Sequence, residues 1–552
     1  MNAIRNPLLF AVATAAAAAF LPAQHVIRTA NGDQPGANFG RTLQTIADID
    51  SDGTVDLVIG EPLRDSGAFT DVGAGVLWRT GAWVQRARSA GALLNGRLGS
   101  AVAGIGDVNG DNVPDWVLGA PGANVAAGVV RVCSGATGLP LYELNGELFS
   151  EFGAAVCSIG DRDGDGRGDF AVGAPIDSPQ TANGVVRFYS GVNGALLDTL
   201  AGASGTGFGR SLATVLDLTG DGSPEIVIGE PLADVGSTNN GRVFVKNPRN
   251  GLANSWVWTA SGPTANGNSG VAACPLADLD GDGRGDLAVA GSNGVVLVRS
   301  GTTGAVLATI TNAQFGATPS LTGLADWNGD GTQDLAVGAP TANLANGRVF
   351  VYSLGAGTPL LSTIEGSLLA SFGAAVANLG DLDGDGRSEL AIGAPTASVS
   401  GLVVGRVTVH SFDIQPETAT FGNGCLGTNG APTLFFTGTP NLGQTFDIVC
   451  SNLRISSIGI WIYGYSATSA GGVPLPVDLS LIGFPGCSLY VSAEASEPYA
   501  TTNSTQAVRP FTLPPVPSLA TAELFVQNAI LDPVAAGGLA FSNGGRFRVG
   551  NL

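Results

Sequence analysis

Methionine occurs once and histidine twice in 552 residues, and Asp, Glu, Lys and Arg together make up only 13%. Long helices draw on Ala, Leu, Glu, Lys and Met, so this scarcity argues against a helical fold. Two histidines give little material for a Ser-His-Asp triad or a histidine-rich metal centre, since His25 lies near the start and His410 stands alone in a strand-like run. Lys and Arg number 25 against 45 acids, for a net charge of −20, and form no basic stripe. Phosphate neutralisation needs such a stripe, so a nucleic-acid partner is not expected. Beyond the N-terminal stretch, no apolar run approaches the roughly 20 residues of a membrane-spanning helix.

Glycine, by contrast, is abundant. There are 83 in the chain, about twice the ~7% norm. Many short apolar runs lie between them, the pattern of an all-β chain rich in turns. The opening MNAIRNPLLFAVATAAAAAFLPA has a positive Arg5, an apolar stretch from Pro7 to Phe20 and small residues up to Ala23. Residues 1–23 therefore read as a signal peptide, and the protein is expected to be exported.

A repeat dominates the rest. Seven segments start at Asp48, Asp107, Asp161, Asp217, Asp278, Asp326 and Asp381, spaced 48 to 61 residues apart. DRDGDGRGDFAVGAP, from Asp161, shows the pattern. The spacing suits a four-stranded propeller blade. Each repeat offers a small-residue inner strand (such as FGAAVCSIG), the acidic loop, a buried second strand, a variable loop, an alternating third strand and a looser fourth. The seventh repeat has no fourth strand after GRVTVHSFDI, whereas residues near His25–Thr29 resemble one without a blade. The N-terminal strand is expected to complete the seventh blade and close the ring, which removes an open sheet edge.

Within each acidic loop, alternate residues converge as the chain curls around its glycines. Position 1 is Asp48, Asp107, Asp161, Asp217, Asp278, Asp326 or Asp381. Position 3 is Asp50, Asn109, Asp163, Thr219, Asp280, Asn328 or Asp383. Position 5 is Asp52, Asp111, Asp165, Asp221, Asp282, Asp330 or Asp385. Position 7, expected to give only its backbone carbonyl, is Thr54, Val113, Arg167, Ser223, Arg284, Thr332 or Arg387. Position 9 is Asp56, Asp115, Asp169, Glu225, Asp286, Asp334 or Glu389. Carboxylates at this density repel one another unless a cation sits among them, and hard oxygen donors suit Ca²⁺. Unlike an EF-hand, the loop has no Glu at position 12 and runs directly into strand-like sequence, so the acid at position 9 takes that role. The fourth loop, with Thr219, is expected to bind most weakly. The loops hold 25 of the 45 acids, and seven Ca²⁺ ions would leave a net charge of about −6. Arg167-Gly168-Asp169 and Arg284-Gly285-Asp286 match an adhesion tripeptide, but both aspartates occupy position 9, where the metal needs them.

Phe-Gly, the acidic loop and Gly-Ala-Pro together resemble the FG-GAP repeat of integrin α-subunit head domains. The resemblance implies a seven-bladed propeller over residues 24–415, with up to seven Ca²⁺ on its lower face and ligands on the upper. The upper loops are then Leu63–Gly75, Ile176–Gly184 and Leu232–Gly241. Phe-Gly becomes Leu98-Gly99 in the second repeat and Ser269-Gly270 in the fifth. The fifth also has Ala290-Gly291-Ser292 for Gly-Ala-Pro, and the sixth inserts two residues around Pro319. Blades five and six are therefore expected to be the least regular.

From about residue 416 the acidic loops stop, and short apolar strands separated by Gly, Pro and Ser suggest a C-terminal β-sandwich. Its Gly-Cys and Pro-Gly-Cys frames resemble, more loosely, modules that end some secreted bacterial proteins. Of six cysteines, Cys425 and Cys487 lie in glycine-rich turns and are the expected disulfide. Cys133, Cys157, Cys274 and Cys450 lie in strands, where a buried thiol is expected.

No catalytic constellation stands out. Asp65, Asp71, Asp177 and Asp234 lie in upper loops as solvated acids or ligand contacts. Trp78, Trp83, Trp256 and Trp258 are packing residues or sugar platforms. The expected function is a secreted or cell-surface calcium-binding module that is not an enzyme and binds an extracellular protein or cell-surface ligand. The alternatives are a carbohydrate-binding module of the cell envelope and, last, a polysaccharide-acting enzyme.

Overall fold

The computed structural model describes residues 25–550 apart from 177–182, 250–255, 329, 384–386, 412–416, 471–472 and 515–521. Residues 1–23, expected to be a signal peptide, and Asp177 and Asp385 therefore lie outside the described residues.

The repeats build seven four-stranded antiparallel sheets, the blades of a β-propeller. The second strand of a blade is buried along its length, as in Asp115–Ala120, Asp169–Ala174 and Asp334–Ala339. Its continuous apolar run follows from packing between neighbouring blades on both faces. Clusters such as Val117, Val130, Phe152, Val172 and Tyr189 join adjacent blades. The inner strands are 42–46, 101–106, 155–160, 211–214, 272–276, 320–324 and 375–378. Each lies against the next, and the last lies against the first.

Ring closure follows the expected route. The seventh sheet runs His25–Asn31, Arg406–Ser411, Leu390–Ala394, Ala375–Asn378, so the N-terminal strand supplies the outer edge. The Arg406 Nε donates to Asn31 Oδ1 at 3.0 Å, and the Trp83 indole donates to the Thr29 carbonyl at 2.9 Å.

The two glycine motifs meet at the blade boundaries. A Cβ on Gly173 would lie 2.0 Å from the Gly209 carbonyl oxygen of the next blade. The same contact joins Gly60 to Gly99, Gly119 to Gly153, Gly229 to Gly270, Gly338 to Gly373 and, across the closure, Gly393 to Gly40. The Phe-Gly glycine also has positive φ, as at Gly209 (80°) and Gly270 (96°), so both members of the pair exclude a side chain. The preceding Phe is buried between blades, at Phe39, Phe152, Phe208, Phe315 and Phe372; Leu98 and Ser269 fill the same place.

Blades five and six are not the least regular. Their inner strand pairs run without a register shift, whereas the shifts fall in blades two and three, at Gly104/Gly106 and Ser158/Gly160. The sixth repeat absorbs its insertion between Gly316 and the inner strand that starts at Ser320, and the short 3-10 turn before it, Ala313–Phe315, still buries Phe315.

The described residues fall into two compact units. One takes Arg28–Leu379 and Leu390–Val409; the other takes His410–Leu552 with Ala23–Ile27 and Gly380–Glu389. In the C-terminal region a six-stranded sheet carries Trp461, Val526, Ile530 and Phe547, and a three-stranded sheet carries Leu434, Phe446, Ile448 and Cys450. These side chains form one core, so the two sheets pack face to face. Cys425 and Cys487 form a disulfide there, and Cys133, Cys157, Cys274 and Cys450 are buried free thiols.

Candidate metal centres

Each acidic loop joins the first strand of a blade to the second, and its own backbone shapes it. In the third loop, Asp161 at position 1 accepts the N–H groups of Gly164 (2.7 Å) and Gly166 (2.9 Å). Asp165 at position 5 accepts the N–H of Arg167 at 2.8 Å. Asp48, Asp107, Asp217 and Asp278 repeat the position-1 role. The N–H groups, Gly53 and Gly283 foremost, hold the Asp48 and Asp278 carboxyls below the ordinary aspartate range. At Asp107 and Asp217 burial opposes ionisation, but the loop N–H groups and a neighbouring arginine outweigh it.

Position 9 is different. Asp56, Asp115, Asp169, Glu225, Asp334 and Glu389 are fully buried, and Asp286 nearly so. One carboxylate oxygen accepts the N–H at position 2, as from Arg162 to Asp169 at 2.8 Å. The other accepts an N–H from the end of the third strand or the turn that follows: Thr80 for Asp56, Gly135 for Asp115, Gly191 for Asp169 and Gly301 for Asp286, each at 2.9 Å. Burial raises all four of these acids and Glu225, with Asp56 pushed up to about 6. Asp334 rises to about 8 for the same reason, and its buried Oδ1 has no hydrogen-bond partner.

Among the described residues, five loops bring three carboxylates within 4.8 Å of one another: Asp48, Asp50 and Asp56; Asp161, Asp163 and Asp169; Asp217, Asp221 and Glu225; Asp278, Asp280 and Asp282; Asp381, Asp383 and Glu389. These clusters can hold a metal ion. The donors are hard oxygens crowded within a single loop, and in the sixth loop the buried Asp334 Oδ1 has no hydrogen-bond partner, so the residues fit a divalent cation. In the second and sixth loops Asn109 and Asn328 replace one carboxylate. Positions 5 of the first and third loops, Asp52 and Asp165, stand outside the carboxylate clusters.

Two contributors escaped the sequence reading. A residue at the end of the third strand reaches into the loop: Thr80 Oγ1 meets Thr54 Oγ1 at 3.1 Å, Asn247 Nδ2 donates to Asp221 at 2.7 Å, and Ser353 and Ser411 donate to Asp330 and Asp383 at 2.7 and 3.0 Å. The signal was available, because Thr80, Ser134, Ser190, Asn247, Ser300, Ser353 and Ser411 recur at that place in all seven repeats. The second is the side chain at position 7, treated above as idle. Arg167 pairs with Asp107 of the neighbouring loop at 2.8 Å.

At the other end of the blades, Asp65 accepts the Asp71 N–H at 2.9 Å and Asp234 accepts the Asn239 N–H at 2.6 Å, so these acids brace their own loops. Trp78 packs on Phe39 and Trp83, Trp256 packs on Phe208 and Phe244, and Trp258 is buried. Asp169 and Asp286 lie buried beneath their loops, so neither tripeptide presents its carboxylate.

FG-GAP repeats match residues 208–245 and 372–410, and an FG-GAP-like repeat matches 278–337. The stretches matched, in blades four to seven, are FG-GAP repeats. The propeller is accordingly integrin-α-like: the chain is 30% identical to Integrin alpha-5 of Xenopus laevis over 182 residues, and 34% identical to Integrin alpha-V of Gallus gallus over 143. These matches take in 31% and 22% of this chain but only 17% and 14% of the two relatives. A solved BBS1N chain, crystallised in complex with ARL6DN, covers 71% of this chain and 98% of its own length at 12% identity and a TM-score of 0.44. Among the described residues, no helix is long and apolar enough to cross a membrane.

Proposed function

We propose that this FG-GAP protein is an exported, calcium-stabilised propeller that binds an extracellular protein or cell-surface ligand and catalyses no reaction. Residues 24–415 form the binding propeller in this reading, and 416–552 a separate β module.

The observation that carries the reading is the character of the face opposite the metal loops. Antiparallel blades put the strand two-to-three loops and the blade-to-blade loops together at that end. Asn124, Val125 and Ala126 in blade two, and Asn343, Leu344 and Ala345 in blade six, all take left-handed backbone angles. Strain of this kind at a non-glycine residue marks binding loops. Each turn holds an apolar side chain in solvent, with Val125 69% and Leu344 89% exposed. The following blade-to-blade loops add Leu148 with Phe149 and Leu368 with Leu369, also exposed. The loops are tied together: Glu151 N–H donates to the Ala126 carbonyl at 2.9 Å, and Ser371 N–H to the Ala345 carbonyl at 3.0 Å. Exposed apolar side chains on a braced, strained backbone suit contact with a protein surface.

The test is binding of the full chain to an array of matrix proteins and glycans, with calcium and with chelator, beside the variant Val125→Asp/Leu344→Asp. Protein ligands lost in the variant support the reading. Glycan hits that the variant leaves intact favour the carbohydrate-binding alternative, and turnover of a polysaccharide overturns the non-enzymatic assignment.

A further inference from the structure

Position 7 is arginine in the third, fifth and seventh loops, and position 3 lacks a carboxylate in the second, fourth and sixth. The structure shows how the two facts connect in the first two pairs. Arg167 of the third loop reaches into the second, where its Nη1 lies 2.8 Å from Asp107 Oδ2 and 3.2 Å from the Asp107 carbonyl oxygen. Its guanidinium covers the backbone at Gly110, so that a Cβ there would sit 2.8 Å from Nη2. Arg284 of the fifth loop makes the equivalent approach to the fourth: a Cβ on Gly220 would sit 2.2 Å from its Nη2. Gly110 and Gly220 occupy the same position, the fourth, of their loops. Among the described residues, no arginine pairs with a carboxylate of the third or fifth loop; Arg249 reaches the third only at the Asp161 backbone carbonyl oxygen, 3.1 Å from its Nη2.

We propose that Arg167 and Arg284 act as built-in cations at the second and fourth loops, so that neighbouring loops fill with calcium in two steps, the third and fifth first and the second and fourth only at higher concentration. The inference rests on the calcium reading above. Asp107 is a first-position donor, and a guanidinium on one of its oxygens repels a divalent ion approaching the same carboxylate. Asn109 and Thr219 have already removed one negative charge from these two loops. Each arginine is then spent on its neighbour, which leaves the carboxylates of its own loop available. At partly exposed separations of a few ångströms, one positive charge against a divalent ion weakens binding by roughly tenfold or more.

The experiment is a calorimetric calcium titration of the full chain after chelator treatment. Wild type is expected to show a tighter and a weaker class of sites. In Arg167→Gln/Arg284→Gln, two sites should leave the weaker class and gain about tenfold in affinity. Arg167→Lys/Arg284→Lys keeps the charge and should retain the weaker class, which separates charge from any effect on folding. Asp161→Asn/Asp278→Asn should remove tight sites and leave the weaker class. A single class in wild type, or a weaker class that the glutamine variants leave in place, overturns the proposal while the calcium reading stands. A titration with no calcium heat and no stoichiometric binding overturns the calcium reading itself.

Discussion

Asp169 and Gly191 lie 22 residues apart, and the buried carboxylate of the first accepts the backbone N–H of the second at 2.9 Å. The other oxygen holds the start of the acidic loop through Arg162 N–H. Position 9 is thus a structural clamp as well as the proposed metal ligand. Asp169→Ala should lower stability by about 2–4 kcal/mol even in chelator, because it leaves buried donors unpaired. Asp163→Asn, on the exposed side of the loop, should change calcium affinity and leave the chelated fold within about 0.5 kcal/mol. Urea unfolding of both variants in chelator distinguishes the two roles.

Gly173→Ala places a methyl group 2.0 Å from the Gly209 carbonyl oxygen of the next blade. Neither partner can yield without moving a strand, so a loss of about 1–3 kcal/mol is expected. Thermal unfolding measures it, and an unchanged midpoint would show that the blade boundary can relax.

Calcium removal should lower Tm. A site held at 100 times its Kd contributes about 2.7 kcal/mol. The pH dependence should reverse with the metal. Asp56 and Asp334 are raised from 3.8 to about 6 and about 8. The chelated fold therefore keeps their contribution below pH 3.8 and loses it as pH rises through 6 and 8. Calcium needs the ionised forms, so its binding should release protons at pH 7 and tighten as pH rises. Titrations in buffers of different ionisation enthalpy count those protons.

His410 is buried, and burial, helped by His25, drives its pKa from 6.5 down to about 4. The native state holds it neutral while the unfolded chain protonates it. Stability should therefore fall as pH drops from about 6.5 to about 4, by up to about 3 kcal/mol. His410→Gln removes that component, and the difference between the two stability profiles across this window reports it.

The Cys425–Cys487 bridge closes a separation of 62 residues. Chain-entropy arguments give such a loop about 4 kcal/mol. Cys425→Ser/Cys487→Ser should destabilise the C-terminal region by that order and leave calcium binding to the propeller loops unchanged, as followed by separate unfolding transitions.

The blade count, the ring closure and the curled acidic loops were readable because each rests on local chemistry repeated along the chain. Asp161, Gly164 and Asp169 announce a curled acidic loop wherever they recur, and the lone strand at His25 fits only the blade that lacks one. What escaped was chemistry between repeats. The spacing of Phe-Gly and Gly-Ala-Pro was plain, but that Gly209 meets Gly173 depends on how one blade stacks on the next. Arg167 looked idle because its partner, Asp107, belongs to another loop. Blades five and six looked damaged because Ala290 and the residues around Pro319 were weighed singly; Ala290 keeps its pairing with Ala272 and Val296, and the residues around Pro319 lie before the inner strand. The strained turns at Val125 and Leu344 carry no glycine to advertise them.

Asn31 and Arg406 touch across 375 residues of chain. During synthesis, the strand His25–Asn31 is made long before Arg406–Ser411 and must wait, unpaired, until that partner is finished. An unpaired strand invites aggregation, and contacts of such long range are slow to form. This strand suits the wait: its sequence is HVIRTAN, and only one of its seven residues is buried in the finished ring. The propeller thus leaves its longest-delayed pairing to a segment that buries little of its surface in the finished ring.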